Sequence, residues 1–163
     1  MTNDIEISVV LPCHNEQDNL QPLVDAIRKA LDPLRRSYEI VITDDRSSDG
    51  SWALLQKLAA ADVRIRAQRF EKQCGQSAAL WAGMRAARGK IIVTLDADLQ
   101  NDPADLPKLL APLDKADCVC GSRVEARGKG DSWVRVASSR IANGIRNKLS
   151  GETITDAGCC YRA

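Results

Sequence analysis

From residue 5 to residue 121, apolar runs of strand length alternate with segments whose apolar residues recur every three or four positions. This alternation predicts an α/β fold, a mostly parallel sheet with helices on both faces. Two observations sharpen the expectation. Val9-Val10-Leu11 and Ile91-Ile92-Val93 are continuous apolar runs, as strands covered on both sides require. One Phe, three Trp and two Tyr in 163 residues leave a mostly aliphatic core, which suits packed α/β layers.

The first strand is expected over Ile5–Leu11, stopped by Pro12. Leu20, Leu23, Val24, Ile27 and Leu31 then fall on one face of a helix over Asn19–Leu31. Tyr38–Thr43 is rich in β-branched residues and reads as a second strand, followed by a helix over Ser51–Ala60 that Asp49 caps. Val63–Ala67 is a weak third strand, and Gln76–Ala87 a helix ended by Gly89. Lys90–Leu95 is a buried strand, Ala104–Leu113 a helix, and Asp117–Gly121 a fifth strand. Ligands of such a sheet bind beyond the carboxyl ends of the strands. Those ends carry Pro12-Cys13-His14-Asn15-Glu16, Asp44-Asp45-Arg46-Ser47, Asp96-Ala97-Asp98-Leu99-Gln100 and Gly121-Ser122-Arg123.

Charge and length narrow the function. With 23 Lys+Arg against 22 Asp+Glu the net charge is +1, without the basic excess of a general nucleic-acid binder, and no nucleic-acid partner is expected. No apolar run approaches the roughly 20 residues that cross a bilayer, and Met1-Thr2-Asn3-Asp4 is no secretory leader, so the expected location is cytoplasmic. The six cysteines form no C-x-x-C pair, and burial as small hydrophobes is their expected role. The stretch 123–148 holds seven Lys/Arg against two Asp/Glu, so the near-neutral total conceals an acidic remainder.

Asp96 and Asp98 place two carboxylates just past an apolar strand, with Gln100 two residues on. Hard oxygen donors of this kind suit magnesium or manganese shared with substrate phosphates; a solvated turn is the other reading of the same residues. Asp45 has the chemistry to accept hydrogen bonds from base N–H groups or ribose hydroxyls, and His14 and Glu16 to line a base pocket. Neither G-x-G-x-x-G after the first strand nor G-x-x-x-x-G-K-[ST] is present, which disfavours dinucleotide oxidoreductases and P-loop NTPases.

Val9-Val10-Leu11-Pro12-Cys13-His14-Asn15-Glu16 with Asn19, Tyr38 to Gly50 around Asp44-Asp45, Leu95-Asp96-Ala97-Asp98-Leu99-Gln100, and Gly121-Ser122-Arg123 occur in an order that closely resembles glycosyltransferase family 2. Within it the likeness is to the dolichol-phosphate mannosyltransferase-like polyprenyl-phosphate glycosyltransferases. The resemblance implies a GT-A fold, Rossmann-like and specialised for nucleotide-diphospho-sugars, and inverting transfer of a sugar from a donor such as GDP-mannose or a UDP-sugar to a polyprenyl phosphate. It places Pro12, His14, Glu16 and Asp45 around the donor nucleotide and Asp96, Ala97 and Asp98 at the diphosphate and metal. Gln100 is a further ligand of Mg2+ or Mn2+, Arg123 meets donor or acceptor phosphate, and Asp156 lies in the late segment Thr155–Arg162 that closes the acceptor side. One catalytic domain is implied over 1–163, with 1–122 the nucleotide-sugar and metal part and 123–163 an incomplete start of the acceptor part. Two residues depart from the family pattern: His14 stands where Tyr is usual, and Arg46 where Gly is common, so that turn either avoids positive φ or holds a strained residue.

A polyprenyl phosphate arrives largely ionised, because a phosphate monoester has its second pKa at about 6. A protein base is then less needed, and Asp156 would position neighbours, serving as base only for a hydroxyl acceptor. The expected basic helix Ser132–Leu149 is either a solvated face or a contact to an anionic cytoplasmic leaflet, with Trp133 an interfacial anchor or a core residue. Two other functions fit parts of the pattern: a non-catalytic nucleotide-sugar-binding or membrane-recruitment module, and a D-x-D magnesium phosphotransferase, which would want its motif after the first strand.

Overall fold

The computed structural model describes residues 4–121 and 161–163. The chain divides into two compact units, Met1–Val119 with Tyr161–Ala163, and Cys120–Cys160. Of the second unit only Cys120 and Gly121 are described.

In the first unit, β1 (Ile7–Cys13), β2 (Tyr38–Asp44), β3 (Ile65–Arg69) and β4 (Ile91–Thr94) form a parallel sheet in the order β3-β2-β1-β4. Helix α1 (Gln17–Leu31) joins β1 to β2, α2 (Ser51–Ala61) joins β2 to β3, and α3 (Gln76–Ala86) crosses back to β4. Right-handed crossovers put α1 and α2 on one face and α3 on the other; α1 packs on α2, and α3 on β1 and β2. The expected α/β sheet, covered on both faces, is therefore present. Its core is aliphatic: Leu20, Leu23, Val24, Ile27 and Leu31 of α1 are buried, as are Val9, Leu11, Ile40 and Ile42 of the sheet, each such burial contributing about 1.5–3 kcal/mol.

Pro12 does not stop β1, which runs on to Cys13. The ladder to β4 ends at Val10↔Thr94, whereas that to β2 continues to Cys13↔Asp44. Cys13 O accepts from Asp45 N on the β2 side, so the Pro12 nitrogen points to the β4 side, where no ladder bond is lost. The same divergence of β1 and β4 opens the crevice at which the strand order reverses.

Several boundaries differ from the sequence expectation. The helix expected over Ala104–Leu113 is only α4 (Leu106–Leu110), flanked by 3-10 turns at Pro103–Asp105 and Ala111–Asp114, because Pro107 and Pro112 lack the N–H a continuous helix needs. β3 begins at Ile65 because Asp62 accepts from the Arg64 N–H and turns the chain, leaving Val63 exposed. β4 is not buried on both faces throughout, since Ile92 is exposed. The fifth strand over Asp117–Gly121 does not pair with β4. That edge is taken by the chain end: Thr94 and Arg162 exchange backbone hydrogen bonds antiparallel, and Ala163 does the same with Val119. Cys118 and Cys120 are consequently exposed on a short outer segment, as is Cys74 in a loop; Cys13 alone of the described cysteines is buried as expected.

Candidate functional site

The carboxyl ends of β1, β2 and β4 converge on one cleft of about 440 Å³, lined by Pro12, Cys13, His14, Glu16, Asp45, Asp96, Ala97 and Asp98. Every nucleotide-side residue expected from the sequence lies there. Gln73, Gly75, Gln76 and Ala79 complete the wall. They follow the carboxyl end of β3, the one strand end left out of the expectation, and the strand-end rule applied evenly finds them.

Neighbouring Asp44 and Asp45 have different duties. The Asp44 carboxylate is fully buried, 2.8 Å from Arg69 Nε, and accepts from Ser47 N. Arg69 also donates to Ser47 O and lies over the Trp52 ring, so this pair locks β3 to the turn after β2. Asp45 instead faces the cleft, where Oδ1 accepts from Cys74 N at 2.6 Å and Oδ2 from Gly75 N at 2.8 Å. Between them and α2, Arg46 adopts φ +59°, the strained alternative of the two the sequence left open. The N-cap of α2 is Gly50, one residue after the expected Asp49; the Asp49 carboxylate accepts from Ser51 N and also from Gln17 N, which ties the starts of α1 and α2 together.

The hydrogen bonds define the His14 tautomer. Asn15 Oδ1 accepts from Ser48 N at 2.8 Å, so its amide nitrogen is the group that faces His14 Nε2, at 3.2 Å. Nε2 is therefore the acceptor, and Nδ1 carries the proton that it donates to Asp45 O at 2.9 Å. Gln73 Nε2 approaches the same Nε2 at 3.3 Å. Glu16 Oε2 accepts from Asn19 Nδ2 at 2.6 Å. The Cys13 thiol is pushed up to about 12, mainly by burial and then by the charges of Asp44 and Glu16, and it lines the cleft as a thiol, not as a nucleophile.

At the other end, Asp96 Oδ1 accepts from Gln76 Nε2 at 2.7 Å and Asp98 Oδ1 from the Gln100 N–H at 3.0 Å. The turn between Asp98 and Gln100 puts Leu99 at φ +58°. Gln100 is exposed and reaches the site through its backbone, so its side chain is not among those lining the cleft. Arg123 and Asp156 lie outside the described residues.

The electrostatics of the lining fit a divalent cation. Glu16, Asp45, Asp96 and Asp98 bring four carboxylates, and no Lys or Arg lines the cleft among the described residues. A diphosphate entering there meets like charge, and magnesium or manganese shared between one or two carboxylates and the phosphates is the usual resolution. The described residues contain no group of three or more His, Cys, Asp or Glu that would cage a metal alone.

A parallel sheet of order 3-2-1-4 with a carboxylate-lined crevice at its switch point defines the Rossmann-like class of α/β fold, whose ligands bind at that crevice. The chain belongs to glycosyl transferase family 2, whose family model matches residues 8–163. It is 39% identical over 158 residues to the undecaprenyl-phosphate 4-deoxy-4-formamido-L-arabinose transferase of Edwardsiella ictaluri, covering 96% of this chain and 48% of that protein. The protein of the same description from Proteus mirabilis is 36% identical over 159 residues, with 97% and 48% covered. The chain thus spans about half the length of these curated relatives. Among solved structures, glucosyl-3-phosphoglycerate synthase from Mycobacterium tuberculosis with Mn2+, UDP and glucosyl-3-phosphoglycerate superposes with a TM-score of 0.67 at 24% identity, over 97% of this chain and 56% of that one. S. aureus TarS residues 1–349 give 0.57 at 19% identity, over 70% and 34%. The fold is GT-A. No described helix is long and apolar enough to cross a membrane.

Proposed function

We propose that this chain is the donor-binding portion of a glycosyltransferase that moves a sugar from a nucleoside diphosphate, such as GDP-mannose or a UDP-sugar, to a polyprenyl phosphate, with inversion. The observation that carries the reading is the single cleft holding His14, Glu16 and Asp45 at one end and Asp96-Ala97-Asp98 at the other. A base and ribose fit the first group and a diphosphate the second. The relatives named for transfer to undecaprenyl phosphate support the acceptor class, and the neighbour solved with UDP and Mn2+ supports a nucleotide and a divalent cation.

Asp96 and Asp98 would hold the Mg2+ or Mn2+, with Gln100 adjoining. A cation held there would supply charge neutralisation for a departing nucleoside diphosphate. The protein's own part is positional. His14, with Nδ1 donating to Asp45 O and Nε2 accepting from Asn15, offers its ring to the base, and Pro12 and Ala97 give apolar walls. Arg123 is assigned to phosphate, where a guanidinium engages two oxygens at once. An ionised phosphate acceptor is its own nucleophile, so Asp156 is assigned to acceptor positioning. The surface facing the acceptor is proposed to lie at a cytoplasmic membrane face.

Calorimetric titration with nucleotides and Mn2+ tests the reading. Asp98→Ala, a half-exposed change, should leave thermal unfolding unaltered and remove the Mn2+-dependent increment of affinity, a loss of at least about tenfold for one charged ligand. Retained Mn2+-dependent binding would sink the assignment.

A further inference from the structure

Asp45 and Asp96 stand at the ends of different strands, and one short segment touches both. Asp45 accepts from the consecutive backbone amides of Cys74 and Gly75, and the next side chain, Gln76, donates to Asp96 Oδ1 at 2.7 Å. The bend that allows this is Gly75, at φ +92° and ψ 160°, a region essentially confined to glycine. No heavy atom lies within 4 Å of the place a Cβ would occupy, so conformation and not crowding reserves the position. Gln76 is also the first residue of α3, whose Gly83 packs on Val10 of β1. Its backbone is therefore fixed both by the helix and by Asp45.

We infer that Asp45 is a positioning residue for Asp96, acting through the Cys74–Gly75 backbone and the Gln76 side chain. The inference rests on the donor reading above. The χ2 torsion of an aspartate is broad and two-fold, so an isolated Asp96 carboxylate would sample many orientations. The neutral Gln76 amide narrows them without itself adding a charge. Asp45 holds that donor in place because each of its oxygens is committed to a charge-assisted N–H bond. Carboxylate oxygens keep further lone pairs, so Asp45 retains capacity to meet a base as well. The two roles separate when the ligand has no base.

The probe is inorganic pyrophosphate with Mn2+, titrated beside UDP and GDP into the wild-type chain, Asp45→Asn, Gln76→Ala and the double variant. Asn offers one acceptor oxygen and turns an amino group toward the second N–H. Each single variant should lose about tenfold in Mn2+-pyrophosphate affinity, and the double should lose no more than the weaker single, because both act in one chain of contacts. Unchanged pyrophosphate affinity in Asp45→Asn with weakened binding of one nucleotide would show a base reader only and overturn the inference. Additive losses would overturn it too. Gln76 is exposed, so Gln76→Ala keeps the test decisive if Asp45→Asn unfolds: unaltered pyrophosphate affinity there refutes the link. If the wild-type chain takes neither nucleotides nor pyrophosphate with Mn2+, the donor reading itself fails, and the inference falls with it.

Discussion

Arg46 bends the chain out of β2 with φ +59°, and Leu99 and Asn15 make comparable bends at +58° and +57° at the ends of β4 and β1. Asn tolerates the left-handed region through its short polar side chain; Arg and Leu do not, and each costs roughly 1–2 kcal/mol there. All three positions adjoin the cleft, where strain is commonly held. Arg46 is exposed, so Arg46→Gly should relieve the strain while losing roughly 0.5–1 kcal/mol to the greater freedom of an unfolded glycine. The net gain of about 0.5–1 kcal/mol corresponds to a melting point about 1–4 °C higher by circular dichroism; a lower one would show that the Arg46 side chain contributes more than its backbone costs. The Arg46 bend was half legible in the sequence, because Arg stands where the family it resembles commonly has Gly, so the turn had to be strained or rebuilt. The Leu99 bend carried no signal, since it is set by the Asp98 carboxylate drawing in the Gln100 N–H, a local contact that composition does not announce.

At the scale of elements, periodicity revealed α1, α2 and α3 and the continuous runs revealed β1 and β4, because burial on one stripe or on two faces writes itself directly into spacing. Long-range pairing does not. The antiparallel seating of Arg162 on Thr94 joins residues 68 positions apart, and nothing near Asp117–Gly121 signals that its place beside β4 is already taken. The approach of α3 to the sheet is equally silent, and it rests on Gly83. A Cβ there would stand 2.5 Å from Val10 Cγ1 and 3.3 Å from Thr43 Oγ1. Glycine to alanine inside a helix ordinarily gains about 0.8–1 kcal/mol. Here Val10 is a fully buried, β-branched core residue with no room to turn, and overpacking costs about 1–3 kcal/mol. Gly83→Ala should therefore lower the urea midpoint despite its better propensity, and a raised midpoint would show that α3 can lift off β1 freely.

Across the whole of the described unit, the two edges of the sheet divide the work. The carboxyl edge gathers carboxylates around open space, and the amino edge buries one. Glu39, only 1% exposed, accepts from Ser8 Oγ at 2.7 Å and Arg88 N at 2.7 Å through Oε1, and from Arg66 through Oε2 at 3.1 Å. Arg66 also donates to Ala86 O, so the knot fastens the end of α3 to β1, β2 and β3. Burial alone would raise the Glu39 pKa; the hydrogen bonds from Ser8, Arg88 and Arg66 outweigh it and hold the carboxyl below its ordinary value. A depressed folded-state pKa means that the contribution to stability is fully present above the unfolded value of about 4.3 and is lost as pH falls through the folded one. Asp62 is lowered likewise, chiefly by hydrogen bonds from Arg64 against an opposing effect of burial, so acid unfolding of the wild type draws on both. Glu39→Gln isolates one of them. At about pH 7 the variant loses a charge-assisted pair and should be less stable by about 1–3 kcal/mol. As pH falls below the unfolded value of about 4.3 the unfolded Glu39 takes up a proton first and the native carboxyl only at lower pH, where it comes to resemble glutamine, so the difference should shrink. Urea unfolding of both proteins between about pH 7 and pH 3 measures it, and a difference that stays constant over that range would mean that the buried carboxylate is held by packing and not by its charge.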